Sequence, residues 1–277
     1  MVETRISKTV SALAKQGRSG LITFITAGDP NFELSLDILM NLKDSGADII
    51  ELGMPFSDPM ADGPSIQESS QRALASGINL KKTLEMVERF RIKDQNTPIV
   101  LMGYFNPIYI YGTDKFVTDA EVAGVDGLII VDLPPEETEL TKLLTRSSID
   151  FIYLVAPTTN EDRLAKIIKH AGGFLYYVSV TGITGTRAPN SEHVRQAVKR
   201  LQRHTDLPIA VGFGIREPEQ AAEIGRWADF VVVGSALVSR IGENIKGDGT
   251  TKSSCKQSVL TLVSALSEAI SSNKSAD

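Results

Sequence analysis

The sequence predicts an α/β protein built as a closed barrel of eight parallel strands, each followed by a helix. Three observations carry this. Eight short apolar or β-branched runs recur along the 277 residues. Amphipathic helical spacing fills the gaps between them. No GxGxxG turn, the mark of a doubly wound nucleotide-binding sheet, follows the first run, which ends Ile25-Thr26-Ala27-Gly28-Asp29-Pro30.

In chain order, residues 1–19 are mixed polar and charged and are expected as an N-terminal helix ahead of a barrel spanning 20–277, the whole 1–277 being one domain. The strand candidates are Leu21–Thr26, Asp48–Leu52, Pro98–Gly103, Gly127–Asp132, Phe151–Ala156, Phe174–Val180, Pro208–Phe213 and Asp229–Gly234. They begin 27, 50, 29, 24, 23, 34 and 21 residues apart, each the length of a strand, a helix and two loops. Their nearly continuous apolar character suits strands covered on both faces. Helical stripes follow: Leu36, Leu39 and Leu42 after the first; Leu80, Leu84, Val87 and Phe90 after the second. Later ones are Leu140 and Leu144, Leu164 and Ile168, Val194, Val198 and Leu201, with a final helix over Val259–Ile270. The second unit is the longest, and its extra residues fall in Gly53–Gln67, directly after a strand, where a functional loop is expected. The Gly242–Lys252 stretch reads as a solvated connection.

Composition narrows the function classes. Hydrophobic residues at 42% and charged residues at 23% describe an ordinary globular protein. A single cysteine excludes an intrachain disulfide framework and any CxxC site, and three scattered histidines do not make a metal cluster. The net charge of −5 argues against a nucleic-acid surface. No apolar run approaches the roughly 18 residues of a membrane helix, and the start has no secretory h-region. A soluble, cytoplasmic protein is expected, or a plastid one if a transit peptide has been removed.

In such a barrel the chemistry sits at the C-terminal ends of the strands. Those ends supply Phe24 and Asp29; Glu51, Asp58 and Asp62; Tyr104 and Asn106; Asp132; Tyr176 with Thr184 and Gly185; Gly212-Phe213-Gly214; and Gly234-Ser235. No lysine or histidine stands among them, so a Schiff base has no candidate nucleophile and acid/base work falls to carboxylates. Glu51 lies in an otherwise apolar strand, and strand parity aims it into the barrel mouth. Desolvation there would raise its pKa toward neutrality. The alternative is a buried structural Glu satisfied by neighbouring hydroxyls and amides. Asp62 follows in the long loop, where an acid could fold back onto the same substrate; Asp before Gly-Pro is also ordinary turn chemistry. Gly214 after the seventh strand and Gly234-Ser235 after the eighth stand where barrels often bind phosphate through backbone N–H groups. Ser235 is placed to cap a short helix from Ala236. Gly182–Arg187 reads as a mobile lid or a plain disordered loop.

These residues resemble the tryptophan synthase α chains, over essentially the whole chain. Phe24–Pro30 (FITAGDP) and, most specifically, Glu51–Gln67 (ELGMPFSDPMADGPSIQ) carry the resemblance. It implies a (β/α)8 TIM barrel that cleaves indole-3-glycerol phosphate to indole and glyceraldehyde 3-phosphate without metal or organic cofactor. It implies Glu51 as general acid/base and Asp62 as acceptor of the indole N–H. Phe24 and Met102 would sandwich the ring, Tyr176 would stand near Glu51, and Thr184 would bond Asp62 when the lid closes. The amides of Gly185, Gly214, Gly234 and Ser235 would hold the phosphate. It further implies an α2β2 assembly with a β chain that carries pyridoxal phosphate, docked on the loop Pro55–Met60 (through Pro55, Phe56, Ser57 and Asp58) with Asn106, Pro107 and Asp132. Some members have Arg where this chain has Val180, so lid contacts are expected to differ. A stand-alone lyase that releases free indole would share every site residue, and a catalytically silent barrel would share the fold alone.

Overall fold

In the computed structural model, which describes residues 3–178, 191–212 and 214–272, nine parallel strands form one sheet in the order β5-β4-β3-β2-β1-β9-β8-β7-β6. The strands are β1 (Gly20–Thr26), β2 (Ile49–Gly53), β3 (Ile99–Gly103), β4 (Gly127–Ile130), β5 (Asp150–Phe151), β6 (Tyr153–Val155), β7 (Leu175–Val178), β8 (Ile209–Gly212) and β9 (Phe230–Val233). β5 and β6 are the single fifth strand of the sequence pattern, interrupted at Ile152. The Ile152 N–H still donates to the Leu128 carbonyl at 2.9 Å, so the two halves close the sheet into an eightfold barrel.

Alternation along each strand sorts its side chains into two layers. Ile22, Ile49, Val100, Ile129, Ile152, Phe174, Ala210 and Phe230 fill the barrel interior, and their outward neighbours pack against the surrounding helices. One end of that interior is stoppered by α1 (Arg5–Gln16), which inserts Ile6 and Leu13, 0% and 5% exposed. The helix starts where the Thr4 hydroxyl accepts the Ser7 N–H at 3.1 Å and stops at Gly17, whose φ of 61° a residue with a Cβ would resist. At this same end three aspartates tie neighbouring strands together. Asp48, Asp126 and Asp229, each one residue before a strand, accept the N–H groups of Leu21, Ile99 and Ile209, all at 2.8 Å.

The second unit differs from the sequence pattern. The extra residues are not all loop, because Pro64–Ala75 is a helix, α3, that precedes the expected α4 (Leu80–Lys93) after α2 (Phe32–Leu42). Pro64 occupies its first turn, where the missing N–H costs nothing. Polar residues on α3 disguised it, since Ser69 and Ser70 are buried where an apolar stripe would be sought. A short α5 (Phe105–Tyr111) likewise precedes α6 (Thr113–Ala123). The remaining helices are α7 (Glu139–Leu144), α8 (Glu161–His170), α9 (Ser191–Gln202), α10 (Pro218–Ile224), α11 (Ser235–Glu243) and α12 (Cys255–Ser271). Among the described residues no helix is long and apolar enough to cross a membrane.

Candidate active site

The barrel end opposite α1 opens into a cleft of about 540 Å3, counted out to solvent. Phe24, Glu51, Asp62, Met102, Tyr176, Gly214, Gly234 and Ser235 all line it, so eight of the predicted site residues converge on one space. Ile66, Ile215 and Val232 complete the wall. These three apolar residues carry no chemical signal, and only the fold identifies them.

Glu51 reaches the cleft from the middle of β2. Its neighbours Ile50 and Leu52 face the helices, while Glu51 faces inward between Phe24 of β1 and Val100 of β3 in register. The side chain is 1% exposed, and neither carboxyl oxygen has a hydrogen-bond partner among the described residues. Burial alone pushes its pKa up to about 8. The expected raised pKa is therefore present, and the alternative of a structural Glu satisfied by hydroxyls and amides finds no partner here.

Asp62 comes back over the mouth from the loop between β2 and α3. The Asp62 N–H donates to the Pro59 carbonyl at 3.0 Å, and the Gln67 side-chain amide donates to the Asp62 carbonyl at 2.8 Å. The loop is anchored by Tyr104, at the end of β3. Its hydroxyl accepts the Ala61 N–H at 2.9 Å and donates to the Asp62 carboxylate at 3.1 Å. Burial raises the Asp62 pKa to about 6, opposed by the Tyr104 bond. Tyr104, expected only as a residue at a strand end, thus has a specific part in holding Asp62.

Tyr176 on β7 is buried, and burial followed by the fields of Glu51 and Asp62 holds its hydroxyl proton firmly. Gly212 of β8 makes room for it, since a Cβ there would lie 2.3 Å from the Tyr176 hydroxyl oxygen. Phe24 needs the same concession from Gly53, where a Cβ would stand 2.6 Å from its ring.

At the far side of the cleft, Gly214 takes a φ of 81° and the first turn of α11 begins. Gly234 occupies the cap and Ser235 the first helical position, one residue earlier than the sequence suggested, and no side chain caps the helix. Its leading N–H groups are free of intrahelical partners, as at any helix start, which suits an anion. Thr184, Gly185 and Val180 lie outside the described residues. Among the described residues no three His, Cys, Asp or Glu side chains are grouped so as to hold a metal ion.

Of the residues expected at a partner surface, Ser57, Asp58, Asn106 and Asp132 are exposed around the mouth and Phe56 is half-buried, its ring 5.2 Å from that of Tyr104. Pro55 departs from the expectation. It is buried, because the chain turns inward there before the loop emerges, and it offers no surface of its own. The Asp132 carboxylate accepts the Phe105 N–H at 2.8 Å and so fixes the start of α5. Met60, at the end of the expected loop, is 83% exposed, and Tyr109 and Ile110 of α5, which were not expected, are 67% and 76% exposed.

Comparison with known proteins agrees with this fold. A family model described as tryptophan synthase alpha chain matches residues 10–270. A tryptophan synthase subunit alpha structure from Legionella pneumophila str. Paris is 41% identical, with a TM-score of 0.88 over 96% of this chain and 98% of that one. A tryptophan synthase alpha chain structure from Legionella pneumophila subsp. pneumophila is 39% identical, with a TM-score of 0.88 over 99% of both chains. A structure of Mycobacterium tuberculosis tryptophan synthase is 34% identical, with a TM-score of 0.86 over 96% of this chain and 98% of that one.

Proposed function

Since the chain belongs to the tryptophan synthase alpha chain family and has that subunit's function, a lyase of tryptophan synthesis, we propose that its cleft cleaves indole-3-glycerol phosphate by a retro-aldol reaction run by Glu51 and Asp62. The observation that carries this is the separation of the two acids by environment. With pKa values near 8 and near 6, Glu51 holds its proton at neutral pH while Asp62 has lost its own.

The proposed steps use that difference. The protonated Glu51 delivers its proton to C3 of the indole ring, and the positive charge that develops on the ring nitrogen is met by the Asp62 carboxylate, which accepts the N–H. The Glu51 carboxylate then takes the proton of the hydroxyl on the carbon attached to C3. That carbon becomes the aldehyde of glyceraldehyde 3-phosphate as the C–C bond breaks, and its electron pair restores the neutral indole. Glu51 ends protonated, ready for the next turnover. Phe24 and Met102 hold the ring from its two faces, and Tyr176 crowds Glu51 and keeps water from it. The backbone N–H groups of Gly214, Gly234 and Ser235, with Gly185, take the phosphate, and Thr184 bonds Asp62 on closure. None of these steps calls on a group outside the chain.

The partner proposed is a β chain that carries pyridoxal phosphate, in an α2β2 assembly in the cytoplasm. It would sit on the mouth around Phe56, Ser57, Asp58, Asn106 and Asp132, with Pro55 shaping the loop from beneath. Release of indole from indole-3-glycerol phosphate, assayed with and without added β chain, tests both parts. Turnover that rises strongly with the partner supports the reading. High turnover unaffected by the partner would mark a stand-alone lyase, and no indole under either condition would end it. Asp62→Asn should lower the rate severely, and an unchanged rate would return Asp62 to turn chemistry.

A further inference from the structure

Behind the cleft lies a second cavity, about 310 Å3 counted with its open part, and Phe24, Asp62, Ile66 and Met102 line both. Glu51 borders only the first; Thr26, Gly53, Met54, Ser70, Gly103, Tyr104 and Val131 border only the second. The glycines at the strand ends let the side chains of its wall pack close to the backbone. A Cβ on Gly53 would stand 2.6 Å from the Phe24 ring, and one on Gly103 would stand 2.9 Å from the Met54 methyl carbon. Both side chains lie over the glycines and form part of the cavity wall.

A buried polar group on β1 in this wall is unused. The Tyr104 hydroxyl is engaged on both sides, by the Ala61 N–H and the Asp62 carboxylate. Thr26, the last residue of β1, is 1% exposed, and its hydroxyl has no hydrogen-bond partner among the described residues. It follows Ile22 and Phe24 on the inward face of the strand. A buried hydroxyl without a partner is costly and uncommon enough to require an explanation.

The proposed function sets the direction of the ring. With C3 toward Glu51, the N–H on Asp62 and the ring faces on Phe24 and Met102, the edge remote from C3 enters the second cavity. On that reading we propose that Thr26 is a specificity-determining residue, and that the enzyme accepts and favours indole rings carrying a small hydrogen-bonding substituent, a hydroxyl or amino group, on the benzenoid edge. The Thr26 hydroxyl pairs with that substituent, and the cavity that Thr26 lines admits it.

The condensation direction provides the test, because ring-substituted indoles serve directly as substrates with glyceraldehyde 3-phosphate. Hydroxyindoles and methylindoles substituted at the 4, 5, 6 and 7 positions are compared pairwise, the two groups being similar in size. At one ring position the parent enzyme should favour the hydroxyl over the methyl compound in kcat/KM by about three- to tenfold, the worth of one neutral hydrogen bond. Thr26→Val should erase that ratio and Thr26→Ser should keep it. Ratios near or below one at every position in the parent overturn the proposal without any variant, as does a ratio that survives Thr26→Val. If the parent fails to condense unsubstituted indole, the retro-aldol reading fails first and this proposal falls with it; a normal rate with unsubstituted indole and no hydroxyl preference sinks this proposal alone.

Discussion

A carboxyl group buried without a hydrogen-bond partner persists in a folded protein only by holding its proton, and Glu51 is such a group. Glu51→Gln should lower indole release by at least about a hundredfold, the lower end of what a positioned acid/base contributes, while binding of a non-cleavable indole phosphate survives; near-parental turnover in a rapid-quench assay would remove Glu51 from the chemistry. The same raised pKa affects stability with a definite sign. Below the ordinary value of 4.5 the group is protonated in both folded and unfolded chains, and it costs nothing extra. Between 4.5 and about 8 the unfolded chain releases the proton and the folded chain keeps it, so stability falls as pH rises through that window. The Tm of the parent should therefore drop more between pH 5 and pH 8 than that of Glu51→Gln. For the reaction, Asp62 ionised and Glu51 protonated require a pH between about 6 and about 8. The profile of kcat/KM should be a bell with limbs near those values. Tyr104→Phe removes the hydrogen bond that holds the Asp62 pKa down, so its acidic limb should move to higher pH while the basic limb stays. An unmoved acidic limb would mean that Tyr104 only fills space.

Among the elements, α1 and α3 show how differently a helix can be signalled. α1 has a side-chain cap at Thr4, a glycine stop and a narrow apolar stripe, and it seals the end of the barrel remote from the site. Leu13→Ala should destabilise the chain by about 2–5 kcal/mol, the range for a buried leucine that leaves a cavity. Measured by urea unfolding, that loss should come without a change in kcat, because the cavity lies at the far end of the barrel. A loss below about 1 kcal/mol would show that α1 is not a stopper but a loosely docked tail. α3 has buried serines in place of leucines and follows the Asp62 loop directly. It is fastened from outside, through paired hydrogen bonds of the Arg72 guanidinium to the buried Asp29 carboxylate at 2.7 and 2.8 Å, and through Ser65 to Ser239 of α11 at 3.1 Å. A helix held by polar contacts to distant elements has no local periodicity to betray it.

At the scale of the whole molecule the two ends of the barrel divide the work. The end under α1 carries the strand-tying aspartates, of which Asp48 and Asp126 are paired with arginines. Asp126 accepts from the Ile99 N–H, from Arg5 at 2.9 Å and from the buried Arg91 at 2.6 Å. Asp126→Ala would strand the Arg91 guanidinium without its carboxylate, and a cost of about 3–5 kcal/mol is expected for breaking a buried pair one-sidedly. Denaturant titration should show that loss, and the fraction still folded should release indole at the parental rate. A fall in turnover of the folded fraction would mean that the two ends are coupled. The opposite end carries the cleft, the loop over it and the exposed Met60, Tyr109 and Ile110.

Legibility follows from range. The apolar period of the strands, the helical stripes and the parity that turned Glu51 inward are local properties of neighbouring residues, and the sequence by itself determined them, with the α/β barrel as their consequence. Glu51 and Asp62 stood out because a carboxylate in an apolar strand and an acid in an overlong loop are anomalies of local pattern. The tertiary structure alone decided what reaches across the chain. Tyr104 bonds an aspartate 42 residues earlier, Gly212 yields its side-chain space to Tyr176, and Thr26 faces a cavity whose other walls include residues of β2, β3, the Asp62 loop and α3. Those contacts exist only once the sheet has closed, because closure, and no preference of any single segment, brings the strand ends around one space.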